Sequence, residues 1–194
     1  PASPAVQHLM QGEHLTAALR AFANTTDGRL SVLASNLAQV LGDTKLRVVD
    51  NLVDENNRPI PGFYDPKTNT IVVDSALGIN VHTLLHESLH AATSHVLANP
   101  SHPVTKQLTQ IFNEAKPNLD TFYGAQDIHE FVAEALSNPE FQQKLASMSV
   151  EGKPLNMLQR FVRAISNFVR SKLGLEQRPM DSAFDAVDNL VSDI

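Results

Sequence analysis

His86 and His90 stand four residues apart in the segment VHTLLHESLHAATSHVL, residues 81–97, and Glu87 directly follows the first of them. On a helix that spacing turns two imidazoles to one face, where both can reach a single ion. A glutamate between them can then serve as base for a water on that ion, which is the chemistry of the H-E-x-x-H pattern. With 8 histidines and 21 acidic residues in 194, such a match arises by accident with a probability of roughly 0.03. His82 lies one turn before His86 at the start of the helix, and His95 lies beyond His90. Both read as bystanders.

A catalytic zinc takes three protein ligands and keeps one position for water, so two histidines are too few. The extended pattern H-E-x-x-H-x-x-G-x-x-H fails here, because Thr93 stands where it needs glycine and Val96 where it needs histidine. Downstream, HEFVAE places Glu130 and Glu134 four apart on a helix whose Phe131, Val132, Ala135 and Leu136 form an apolar side. Two carboxylates at that spacing repel each other. A zinc ion on Glu130, with Glu134 accepting the free N–H of a ligand histidine, would resolve the conflict. The plainer alternative is an exposed acidic stripe.

The surrounding elements must hold these groups. Residues 5–23 and 29–41 read as two packing helices, with Leu15, Leu19 and Phe22, then Leu30, Leu33, Leu37 and Leu41 at helical spacing. Residues 45–53 are short and β-branched, and GFYDPKTNTIVVD reads as a hairpin around Asp65–Asn69. A small, mainly antiparallel sheet is therefore expected before the histidine helix. Its strand Ile71, Val72, Val73 and Asp74 is expected at the sheet edge, where it could pair with an extended peptide. Helices follow at 103–115, 126–137, 139–148, 154–173 and 181–192. Asn138-Pro139 forms a cap followed by a first-turn proline, and Gly174 reads as a stop. The basic amphipathic segment at 158–173 reads as a helix docked through Leu158, Phe161, Ile165, Phe168 and Val169. Arg160, Arg163, Arg170 and Lys172 lie elsewhere on it. The fold class expected is α+β, mostly helical, in one domain: helices over 1–42, sheet and H-E-x-x-H helix over 43–98, and a helical part over 103–194.

Composition narrows the chemistry. There are no cysteines, so thiolate metal sites, disulfides and a cysteine nucleophile are out, and any metal must sit on His, Asp or Glu. A net charge of -6 argues against nucleic acid as the main partner. No apolar run has the length of a membrane span, and the first residues lack the order of a signal peptide. The chain reads as soluble. Starting at Pro1, it also reads as an excised domain or processed product.

The pairing of HESLH with EFVAE about forty residues later resembles the gluzincin branch of the zincin metallopeptidases. More narrowly, GFYDPKTNTIVV, LLHESLHAAT, YG, HEFVAEALSNPEFQ and FVRAISNFV resemble zincin-like domains of very large phage and plasmid polyproteins. Those are related to the peptidase domain of plasmid antirestriction proteins. The likeness spans roughly residues 15–175. It implies a zincin-like α+β fold, a Zn²⁺ cofactor and a protein or peptide substrate, while the compartment stays open between a virion and the host cytoplasm. It also implies His86, His90 and Glu130 as ligands, Glu87 as general base and Glu134 as the group behind a ligand histidine. A departure concerns DTFYG, which matches part of the aspzincin pattern although Pro117-Asn118 replaces its Gly-Thr. Asp120 is therefore the alternative third ligand, and Tyr123 is a candidate donor to the oxyanion in either case. A non-catalytic module of such a polyprotein is the competing function.

Overall fold

The computed structural model describes residues 2–26, 28–119, 121–149 and 154–172. The fold is α+β and divides into two compact units, Pro1–Ser94 and His95–Ile194.

The first unit begins with α1 (Pro4–Gln11), α2 (Leu15–Ala23) and α3 (Gly28–Val40). The single helix expected over 5–23 is thus two. The break is a turn in which the His14 amide donates to the Leu9 carbonyl at 2.9 Å and the Glu13 amide to Met10 at 2.9 Å. This pairing closes a helix through a left-handed residue, usually glycine. Here that residue is Glu13, at φ 61°. Its carboxylate explains the exception, because Glu13 Oε1 accepts the Val48 amide of the neighbouring strand at 2.8 Å. Leu37 on α3 and Leu41 just after it are buried as expected, whereas Leu30 is exposed.

The sheet contains β1 (Lys45–Val49), β2 (Gly62–Asp65) and β3 (Thr70–Asp74) in the order β1-β3-β2. The hairpin forms as expected, with β2 antiparallel to β3 from Gly62 opposite Val73 to Asp65 opposite Thr70. Asp65 closes its turn by accepting from the Lys67 amide and the Thr68 hydroxyl. Asn69 takes the left-handed conformation at φ 49°, which asparagine tolerates. However, β1 runs parallel to β3, from Lys45 opposite Thr70 to Val49 opposite Asp74, so the sheet is mixed rather than mainly antiparallel.

That order corrects the expected substrate strand. Ile71, Val72, Val73 and Asp74 lie in the middle strand, with backbone pairing taken on both sides. Asp74 itself is a buried clamp. Its Oδ2 accepts the Leu52 amide at 2.8 Å, and its Oδ1 accepts Ala76 at 2.9 Å and Leu77 at 2.8 Å. These bonds, led by those from Leu52 and Leu77, hold its carboxyl below its ordinary value of 3.8 against the opposing effect of burial. A lowered folded-state pKa contributes stability that is present above the unfolded value and lost as pH falls through the folded one. Metal-free protein should therefore lose this contribution, read as a falling melting temperature, as pH drops below about 4. Asp74→Asn should melt lower at neutral pH and meet the wild-type curve in acid; parallel curves would remove Asp74 from that role.

The second unit contains α5 (Pro103–Ala115), α6 (Ile128–Ser137), α7 (Pro139–Ala146) and α8 (Met157–Lys172). The expected start of α7 is confirmed, since Asn138 Oδ1 accepts from the Glu140 and Phe141 amides. The α5 cap was not anticipated: His102 Nδ1 accepts the Val104 amide at 3.2 Å, which assigns this histidine to helix initiation. Leu158, Phe161, Ile165 and Phe168 of α8 enter the core with Leu108, Phe131 and Phe141. Arg160 pairs with Glu114 of α5. So α8 docks on its own unit through its apolar face. Among the described residues, no helix is long and apolar enough to cross a membrane. Gly174, the side chains of Val169 and Arg170, and the helix expected at 181–192 lie outside the described residues.

Candidate metal centre

The histidine helix α4 (Val81–Leu97) follows β3 through a tight loop. A side chain at Gly78 would lie 2.1 Å from the Pro61 carbonyl oxygen, so this position admits only glycine without a backbone shift. Asn80 then caps the helix, its Oδ1 accepting the Thr83 amide at 2.9 Å and its carbonyl the Leu84 amide at 3.0 Å. Leu85, Leu89 and Val96 are buried as the spacing predicts, Ala92 is half-buried, and Leu84 is buried besides.

Polar groups are buried in the same run. His86 is 9% exposed and Glu87 6%, His90 is half-buried, and His82 and His95 are exposed. A carboxylate is rarely that deep without a charged or hydrogen-bonded reason. His86 Nε2 and His90 Nε2 are 3.0 Å apart, with their ring centroids 4.7 Å apart and planes at 72°. At that separation one nitrogen must carry the proton if no cation is present. Two nitrogens at about 2.0–2.1 Å from one tetrahedral zinc stand about 3.3 Å apart, so a few tenths of an ångström separates the observed pair from that spacing.

Glu130 and Glu134 are carried by α6. Asp127 starts the helix by accepting the His129 amide at 2.8 Å and the Glu130 amide at 3.0 Å. Phe131, Val132 and Ala135 enter the core of this unit, whereas Leu136 is half-buried and packs against it. The acidic pair does not form an exposed stripe: Glu134 is 5% exposed and Glu130 is half-buried. Glu134 Oε2 accepts from Asn138 Nδ2 at 2.7 Å, a partner that the spacing of the acidic residues did not reveal. Tyr123, in the 3-10 turn Tyr123–Ala125, is 54% exposed, so it is not an ordinary core tyrosine. Its neighbour Gly124 is required for close packing, because a side chain there would meet Phe141 at 2.7 Å and Glu134 Cβ at 3.1 Å. His129 is half-buried. Asp120, the alternative ligand, lies outside the described residues.

Among the described residues two His/Glu sets could hold a metal ion: His86 with His90 and Glu130, and His82 with His86 and Glu134. The donors in both sets are imidazole nitrogen and carboxylate oxygen, which suit zinc. The second set admits His82, which the sequence pattern assigns no role. No family model, curated protein or solved structure matches the chain.

Proposed function

We propose that the chain is a zinc-dependent metallopeptidase, with His86, His90 and Glu130 as ligands and Glu87 as general base. The observation that carries this reading is the pair of α4 imidazoles, His86 and His90, whose Nε2 atoms converge to 3.0 Å, with the buried Glu87 next to His86 in the chain. The set with His90 is preferred over that with His82 for two reasons. It uses the converging pair, and it leaves Glu134 to the Asn138 amide that already holds it.

When bound, zinc supplies a water whose pKa falls to about 7 and a positive charge for the developing oxyanion. Glu87 takes the proton from the attacking water and delivers it to the departing amine nitrogen. Glu134 accepts an imidazole N–H and so fixes the tautomer that leaves the other nitrogen free for the ion. Tyr123, exposed in its turn, is the candidate hydroxyl donor to the oxyanion. An extended substrate requires an outer strand. The backbone of β3 is already paired and the Val48 amide of β1 is taken by Glu13, so the substrate strand assigned here is β2, with exposed Phe63.

Metal content measured by mass spectrometry on purified protein tests the reading. One zinc per chain is expected in wild type under zinc-replete conditions and none in His86→Ala. Absence of stoichiometric metal from folded wild type would sink it.

A further inference from the structure

Asn138 sits where α6 ends and α7 begins, and each of its polar groups is engaged. Its backbone amide donates to the Glu134 carbonyl at 2.9 Å, terminating α6. Its Oδ1 accepts from the Glu140 amide at 3.0 Å and the Phe141 amide at 3.3 Å, starting α7. One amide hydrogen bond then goes elsewhere, from Nδ2 to Glu134 Oε2 at 2.7 Å. The cap alone requires only an oxygen, which serine, threonine or aspartate would supply. The bond to Glu134 requires a donor as well, and among the good capping side chains only asparagine offers both from one rigid amide.

The surroundings remove other freedom from Glu134. It is 5% exposed, and its Cβ lies 3.1 Å from where a side chain on Gly124 would begin, so the 3-10 turn Tyr123–Ala125 presses on it. Phe141, whose amide Asn138 caps, closes the same slot from α7, 2.7 Å from that same point. Packing confines the stem of Glu134, and Asn138 holds one oxygen of its carboxylate.

We propose that Asn138 is a positioning residue for the metal centre, an inference that rests on the zinc reading above. By holding Oε2 it sets the plane of the Glu134 carboxylate and presents Oε1 to the N–H of a ligand imidazole. Asn138 acts through Glu134 and touches neither the ion nor the substrate. Partners of this kind commonly alter metal affinity ten- to a hundredfold.

The test separates the cap from the donor. Asn138→Asp keeps a capping oxygen but replaces the donor with a second carboxylate facing Glu134. Asn138→Ser keeps the cap and removes the amide without adding charge. Zinc dissociation constants, measured by chelator competition, are expected to rise about tenfold or more in both variants. Melting temperatures of the metal-free proteins should stay close to wild type in Asn138→Ser. In a Glu134→Gln background neither substitution should weaken zinc further, because the path through Glu134 is already gone. Wild-type zinc affinity in both variants, with Glu134→Gln weakened, would overturn the role of Asn138 and leave the zinc reading intact. Equal losses with and without Glu134 would also overturn it, showing a general disturbance of the α6–α7 joint. Wild type that takes up no stoichiometric zinc would remove the zinc reading, and this inference with it.

Discussion

Glu87→Gln is expected to retain one zinc per chain while hydrolysis of a peptide library falls by about 10²–10⁴-fold, the usual contribution of a positioned general base. The substitution keeps shape and removes only basicity, so the ligand pair His86 and His90, on the same helix, keeps its geometry. Burial makes this informative. Glu87 is 6% exposed within the buried run Leu84–Leu89, where a carboxylate opposes folding unless its surroundings compensate it. Glutamine fills the same space without a charge, so the melting temperature of the metal-free variant reports whether the fold is kept while activity is lost. Zinc binding with no chelator-sensitive hydrolysis by wild type would instead favour a module that uses the ion for structure. Activity that survives Glu87→Gln at the wild-type rate would assign the base elsewhere.

Local chemistry made much of this fold legible, and long-range pairing accounts for what was not. Asn138-Pro139 announces α7 because a capping side chain and a ring-fixed φ act within one turn. The hairpin is equally local, since Asp65, Thr68 and Asn69 bond within their own turn and with its flanking strands. Strand order is different. β1 pairs with a strand 25 residues further on, and no periodicity within either segment says which side of β3 it takes. The same holds for Glu13, whose left-handed backbone is understood only with the Val48 amide it reaches, 35 residues away. In the candidate site, HESLH and the Glu130/Glu134 pair are visible as spacing. Asn138 was visible only as a cap, because the direction of its amide nitrogen depends on where the turn after α6 places it. His102 shows the converse: a histidine in a histidine-rich chain whose ring nitrogen is used by a helix start.

Phe131→Ala is expected to destabilise the second unit by about 3–5 kcal/mol, the range for removing a fully buried aromatic ring. Phe131 is 0% exposed, and its ring centroid lies 5.4 Å from Phe112 and 5.6 Å from both Phe141 and Phe161. It is the ring at which α5, α6, α7 and α8 meet, so no single neighbour can move in without leaving another contact. Against a typical folding stability of about 5–15 kcal/mol, the loss leaves a marginal domain. Urea denaturation followed by circular dichroism measures it, and a loss under about 1 kcal/mol would mean that the core closes over the gap. Glu130 precedes Phe131 on α6, which links the core to the proposed ligand. A ligand that binds only the folded state adds about 2.7 kcal/mol when present at a hundred times its dissociation constant. Saturating zinc should therefore recover a large part of the stability lost in Phe131→Ala. It should recover much less in Phe131→Ala combined with Glu130→Ala, where one proposed ligand is missing. Equal recovery in the two proteins would take Glu130 out of the ligand set, while leaving the histidine pair and its buried base in place.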